Sequence, residues 1–79
     1  MPIKSYLAYP IEGNKKALIE ALQAFDNCEV TPSENEELLI VVTDTETLEE
    51  DLILKEKIDA IESLKMLSLV SGFNTPKNN

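Results

Sequence analysis

The chain has no histidine, no arginine and no tryptophan, and only one cysteine, two glycines and four aromatic residues in 79 positions. Each shortage removes a class of chemistry. Without histidine there is no Ser-His-Asp or Cys-His nucleophile arrangement, and most zinc sites are gone. Without arginine there is no bidentate clamp of the kind that phosphoryl chemistry favours. A lone Cys28 forms no internal disulfide framework and no CxxC metal carrier, and in this pattern it reads as a small buried apolar residue. No run approaches the roughly 20 apolar residues that span a bilayer. The opening "MPIKSYLAYPIEGNKK" has a short apolar part interrupted by Lys4 and Ser5 and no small-residue cleavage site, unlike a secretory signal. Cytoplasmic location is the expectation, with no metal and no cofactor.

Basic charge is also scarce where acid is dense. The formal net charge is −8. Residues 1–33 hold four acids and three lysines; residues 34–62 hold eleven acids against Lys55 and Lys57; residues 63–79 hold only Lys65 and Lys77. Nucleic acid and anionic lipid both select basic surface, so neither is expected as a partner, and no stable membrane association is expected. A cationic partner fits the balance, as does a plain solvated acidic surface. Lys15-Lys16 lack a Gly-rich loop and read as solvated surface. The run Glu49-Glu50-Asp51 sends its side chains around a helix axis and lacks the ligand-bearing loop of a calcium site.

What is present is periodicity. "IKSYLAY" (Ile3 to Tyr9), bounded by Pro10, predicts a strand, and "EGN" a turn. Leu18, Ile19, Leu22 and Phe25 form one stripe of an amphipathic helix, with Asn14 as its expected cap. "CEVTPS" alternates and carries Pro32, which cannot donate to a ladder, so it predicts an edge strand. "ELLIVVT" is the strongest strand, and its nearness to the previous one predicts a hairpin. In "TETLEEDLILKEKIDAI" Thr47 and Glu50 fit a capping box, and Ile53, Leu54, Ile58, Ala60 and Ile61 share a helix face that leaves out Leu48 and Leu52. A last strand is expected over residues 65–72, and "NTPKNN" (74–79) is expected to be a disordered polar tail. The order β-α-β-β-α-β predicts an α+β fold of ferredoxin-like type. One domain over residues 1–73 would place two helices on one face of a four-stranded antiparallel sheet.

That fold leaves one sheet face uncovered, and Leu38-Leu39-Ile40-Val41-Val42 is apolar on both parities. A bare apolar face marks an interaction surface. RNA-binding domains of this fold stack bases on sheet aromatics in a basic field, and both features are missing here. Taking Thr43 as the polar end of one parity, the outward set on the third strand is Leu39, Val41 and Thr43, with Leu38, Ile40 and Val42 inward. Ser5, Leu7 and Tyr9 are expected outward on the first strand. On the last, Met66, Ser68 and Val70 are expected outward, with Leu67 and Leu69 in the core.

"FDNCEVTPSENEELLIVVTD", the following "ETL", and "MLSLVSGF" resemble the NapD family. The likeness runs from about Lys4 to Phe73 and includes the Ala24-Phe25-x-x-Cys28-Glu29-Val30 junction, the Glu46-Thr47-Leu48 helix start and the Leu67-Ser68-Leu69-Val70 strand. The resemblance implies a ferredoxin-like, non-enzymatic cytoplasmic chaperone. Such a protein binds the twin-arginine signal peptide of the periplasmic nitrate reductase catalytic subunit, NapA, and prevents export until the molybdenum cofactor is in place. The outward residues above would take the peptide's apolar part, and Glu29, Glu36 and Glu37 would meet its basic n-region. The competing expectation is a small regulatory or homodimeric domain that uses the same open face.

Overall fold

The computed structural model describes residues 2–34 and 36–74, with backbone alone for 71–74. The elements are β1 (Pro2–Pro10), α1 (Lys15–Gln23), β2 (Cys28–Pro32), β3 (Leu39–Asp44), α2 (Leu48–Asp59) and β4 (Leu64–Asn74). The strands form one antiparallel sheet in the order β2-β3-β1-β4. This is the expected α+β ferredoxin-like arrangement. The last strand continues to Asn74 rather than stopping at Gly72, and the remainder of the expected tail lies outside the described residues.

Local chemistry explains most boundaries. Gly13 takes φ +83°, a left-handed conformation that glycine adopts without Cβ strain, and the Asn14 amide closes that turn on the Ile11 carbonyl at 2.8 Å. Asn14 precedes α1 but makes no side-chain cap. Thr47 does cap α2: its Oγ1 accepts from the Glu50 amide at 3.1 Å, while Glu50 Oε1 accepts from the Glu46 amide at 3.2 Å. Glu49, Glu50 and Asp51 stand in the first turn, where the helix dipole favours negative charge. Lys15 Nζ donates to the carbonyls of Ser33 and Glu36, tying the β2–β3 connection to α1.

The register settles which parity faces the helices. Tyr6 lies opposite Val41 and Ala8 opposite Leu39, and all four are buried with Leu18 and Leu22 of α1 and Leu54 and Ile58 of α2. Both helices therefore cover the same face. The rows of that face read Pro32–Leu39–Ala8–Leu67 and Val30–Val41–Tyr6–Leu69 across the four strands. On β3 the expected parity is inverted: Leu39, Val41 and Thr43 point into the core, and Ile40 and Val42 point away from it. The charge at Asp44 outweighs the hydroxyl at Thr43 as a guide. Burying an unpaired carboxylate costs far more than burying a threonine, whose methyl packs well. Thr43 Oγ1 is indeed buried without a hydrogen-bond partner.

Lys4 sits on the core parity of β1, where its ammonium pairs with the buried carboxylate of Asp51 on α2 at 2.5 Å. The hydrogen bond that Lys4 donates to Asp51 raises the Lys4 pKa above the ordinary lysine value, against the opposing effect of burial. Burial raises that of Tyr6 as well. Both groups have folded pKa values above their unfolded ones. Each thus contributes stability that is complete below the unfolded value and is lost as pH rises through the folded one.

Two predictions follow from the register and the ion pair. Val41→Asp unfolds the domain, at a cost of at least about 4 kcal/mol, whereas Ile40→Asp costs less than about 1 kcal/mol; urea titration by circular dichroism reads both. Lys4→Met strands the Asp51 carboxylate and costs about 3 kcal/mol at neutral pH. It also shrinks the loss of stability that the native chain undergoes as pH passes through the lysine range, leaving the parts owed to Tyr6, Cys28 and Lys55. Urea midpoints across that range measure the change.

Candidate functional site on the open sheet face

Alternation places Ile3, Ser5, Leu7 and Tyr9 of β1 on the face away from the helices, where Ile40 and Val42 of β3 and Glu29 and Thr31 of β2 join them. Two rows cross this face. One is Thr31–Ile40–Leu7–Ser68, and the other is Glu29–Val42–Ser5. A third pair, Tyr9 and Met66, lies beside them on the two strands at the other edge. The apolar ridge is thus Leu7, Ile40 and Val42, flanked by Ile3 at one end and Tyr9 with Met66 at the other. Adjacent strands lie about 4.8 Å apart, so Leu7 and Ile40 stand side by side. Ile40 is 41% exposed and Met66 52%.

Of the residues expected on this face, Ser5, Leu7, Tyr9, Met66 and Ser68 are there. Leu39, Val41 and Thr43 are not; they are buried under the helices, and Ile40 and Val42 take their place. Val70 falls where the β1–β4 register slips, between the pairs Ser5–Ser71 and Tyr6–Leu69, and it is exposed. Leu67 packs on the core as expected. Leu69 shares the helix-side row yet stays 57% exposed, because β4 is the edge strand.

Acidic groups collect at the ends of the ridge. At one end a recess of about 360 Å³ is lined by Ile3, Asp26, Asn27, Glu29, Val42 and Asp44. Its walls carry three carboxylates and no cation. The Asp44 amide donates to the Asn27 carbonyl at 2.9 Å, which holds the α1–β2 turn against the end of β3 and so brings Asp26 to the recess. At the other end a smaller recess of about 250 Å³ is lined by Tyr9, Pro10, Glu12, Glu37, Lys65 and Met66. Glu29 and Glu37 are therefore at opposite ends of the face. Glu36 is exposed in the β2–β3 connection and lines neither recess. Asp26 and Asp44 escaped the sequence reading, since turn and strand-end acids look like ordinary surface until the fold gathers them.

The cysteine gives no sign of nucleophilic chemistry. Cys28 is half-buried on the helix-side parity, opposite Thr43, and desolvation pushes its thiol up to about 11. The thiolate is the reactive form, so this environment quenches it at neutral pH. Among the described residues no group of three or more acidic, cysteine or histidine side chains is placed to hold a metal, and no helix is long and apolar enough to cross a membrane.

No family model and no curated protein matches the chain. Among solved structures it is similar to the crystal structure of a hypothetical protein, PHS023, from Pyrococcus horikoshii. The TM-score is 0.76 and the sequence identity 26%, over 89% of this chain and 87% of that one. The likeness takes in nearly the whole of both chains, so the fold is common to them.

Burial of Cys28 generates its own prediction. Iodoacetamide at neutral pH should label the folded protein far more slowly than the urea-unfolded chain, at least about tenfold, as a protected thiol with a raised pKa requires. Mass spectrometry follows the single adduct, and equal rates in both states would show the thiol to be open.

Proposed function

We propose that the protein is a non-catalytic peptide-binding chaperone whose open sheet face receives a twin-arginine signal peptide. The guest's apolar segment lies along Leu7, Ile40 and Val42, with Tyr9 and Met66 beyond. Its paired arginines enter the recess of Asp26, Glu29 and Asp44. The observation that carries this reading is the juxtaposition of an uncovered apolar ridge with a three-carboxylate recess that has no cation in its walls. Desolvating the ridge contributes about 25 cal/mol per Å² of apolar area, less the cost of ordering the peptide. The carboxylates supply orientation and rate of encounter, because charge complementarity steers a basic segment to one end.

The NapD resemblance narrows the guest to the precursor of the periplasmic nitrate reductase catalytic subunit, held in the cytoplasm while its cofactor is inserted. In that role the protein needs no reacting group of its own. The competing homodimer on the same face is disfavoured by its rim, since a second copy would bring another set of acids against Asp26, Glu29 and Asp44.

Fluorescence anisotropy with a labelled twin-arginine peptide tests the reading. Saturable binding is expected, weakening with added salt as the Debye length shortens. Replacing both arginines with glutamine, or introducing Asp44→Lys, should each weaken binding at least about tenfold, the equivalent of one lost charge-assisted contact. Ile40→Asp should abolish it while the fold persists. Binding that survives Ile40→Asp unchanged would place the peptide elsewhere, and no saturation at low salt would end the reading.

A further inference from the structure

On the side of the molecule away from the open sheet face, a groove runs between the two helices. At one end a recess of about 290 Å³ lies between the last residues of α1 and the body of α2, with Ala24, Phe25, Ile53, Leu54 and Lys57 in its walls. At the other end a recess of about 610 Å³ lies between the start of α1 and the residues that follow α2, with Ala17, Ala21 and Ile61 in its walls. The helices therefore run antiparallel. One side of α1, carrying Ala17, Ala21 and Ala24, faces one side of α2, carrying Ile53 and Lys57. Those alanines recur at i, i+4 and i+7, so the α1 wall is low along its whole length. Ile53 in the opposite wall is 47% exposed, and Phe25 and Leu54 at the first recess belong to the core.

We propose that this groove is a docking site for an amphipathic helix with a basic polar face, contributed by a second protein. Both walls are helices whose backbone groups are already paired, so an extended segment would find no ladder to join. A helix instead seats a row of its side chains between two others, ridge into groove. The twelve residues of α2 span about 18 Å at roughly 1.5 Å per residue, which matches three to four turns of a partner. A large apolar side chain of that partner would enter the recess at Phe25 and Ile53 as its anchor. Position 53 itself favours this reading over plain surface. Glu49 stands four residues before it and Lys57 four residues after, so a charged side chain there would pair with one of them. Isoleucine forgoes both pairings and leaves an apolar wall.

Charge selects the occupant. Glu49 and Glu56 form the outward ridge of α2, opposite its buried Asp51, Leu54 and Ile58, and Glu20 stands outward on α1, opposite Leu18 and Leu22. Asp26 and Glu50 line the first recess and Glu62 the second. Against these six acids stand Lys16 and Lys57. Neither Glu49 nor Glu56 has a lysine three or four residues away, and among the described residues neither forms an ion pair. A basic helix therefore gains at the rim what it gains from apolar contact at the floor. A second copy, at net charge −8, brings like charge instead, as do nucleic acid and anionic lipid. The groove lies across the sheet from Leu7, Ile40 and Val42, so its occupant and a guest on the open face can be held together. The inference does not rest on the identity of that guest.

Fluorescence anisotropy with two labelled synthetic peptides of about 14 residues, four helical turns, tests the groove. One is built of leucine and lysine with leucines at i, i+3, i+4 and i+7; the other has glutamate in place of every lysine. Saturable binding of the lysine peptide is expected, with the glutamate peptide at least about tenfold weaker. Ile53→Asp and Ala17→Asp both add negative charge at exposed helix positions, the second in a first turn where the dipole favours it, and circular dichroism should show both folded. Diffuse attraction to an acidic surface would tighten in either variant. An occupant seated in the groove would instead bury a carboxylate, and should bind at least about tenfold more weakly. The two sites are on different helices, so one reports if the other fails to fold. Ile40→Asp, on the far face, should leave lysine-peptide affinity unchanged. The proposal is overturned by no saturation with the lysine peptide, by equal binding of the glutamate peptide, by undiminished binding in a folded Ile53→Asp or Ala17→Asp, or by loss with Ile40→Asp. Twin-arginine binding by the native chain and by Ile40→Asp is read separately, so either reading can fail alone.

Discussion

The pairing of β1 with β3 is the constraint on which the rest of the molecule depends. Tyr6 opposite Val41 and Ala8 opposite Leu39 set the helix-facing parity of the two central strands. Leu18, Leu22, Leu54 and Ile58 then close over that surface from two helices. Among the described residues no further element covers the opposite face. Shifting β3 by one residue would drive Asp44 under the helices and expose Leu39 and Val41, so the register is firmly held despite the apolar character of both parities. The same pairing brings Lys4 beneath α2, where Asp51 neutralises it. The ion pair is a consequence of register as much as a support for it.

Charge then divides the surface that packing has left apolar. Asp26, Glu29 and Asp44 gather at one end of the open face because the α1–β2 turn is hydrogen-bonded to the end of β3. The β4 flank lies at the opposite edge of the sheet, in the part of the chain that has no acid after Glu62. The apolar ridge of the open face is thus bordered by carboxylates at its β2 end, whereas β4 itself carries none.

Much of the fold was legible in the residues, because each signal had a single physical meaning. Pro32 marked an edge, Thr47 with Glu50 marked a helix start, and the stripe Leu18, Leu22 marked the buried side of α1; all three hold. The facing of β3 was misread because two polar signals disagreed, Thr43 on one parity and Asp44 on the other. The charge is the stronger of the two. On β1 Ser5, Leu7 and Tyr9 were placed outward correctly, which leaves Tyr6 and Ala8 inward, and their partners on β3 follow once the register is known. The acidic recess was half legible: Glu29 was assigned to the open face, but Asp26 and Asp44 come together only through the fold. Glu36 and Glu37 illustrate the reverse, adjacent residues that the β2–β3 connection sends to different surroundings.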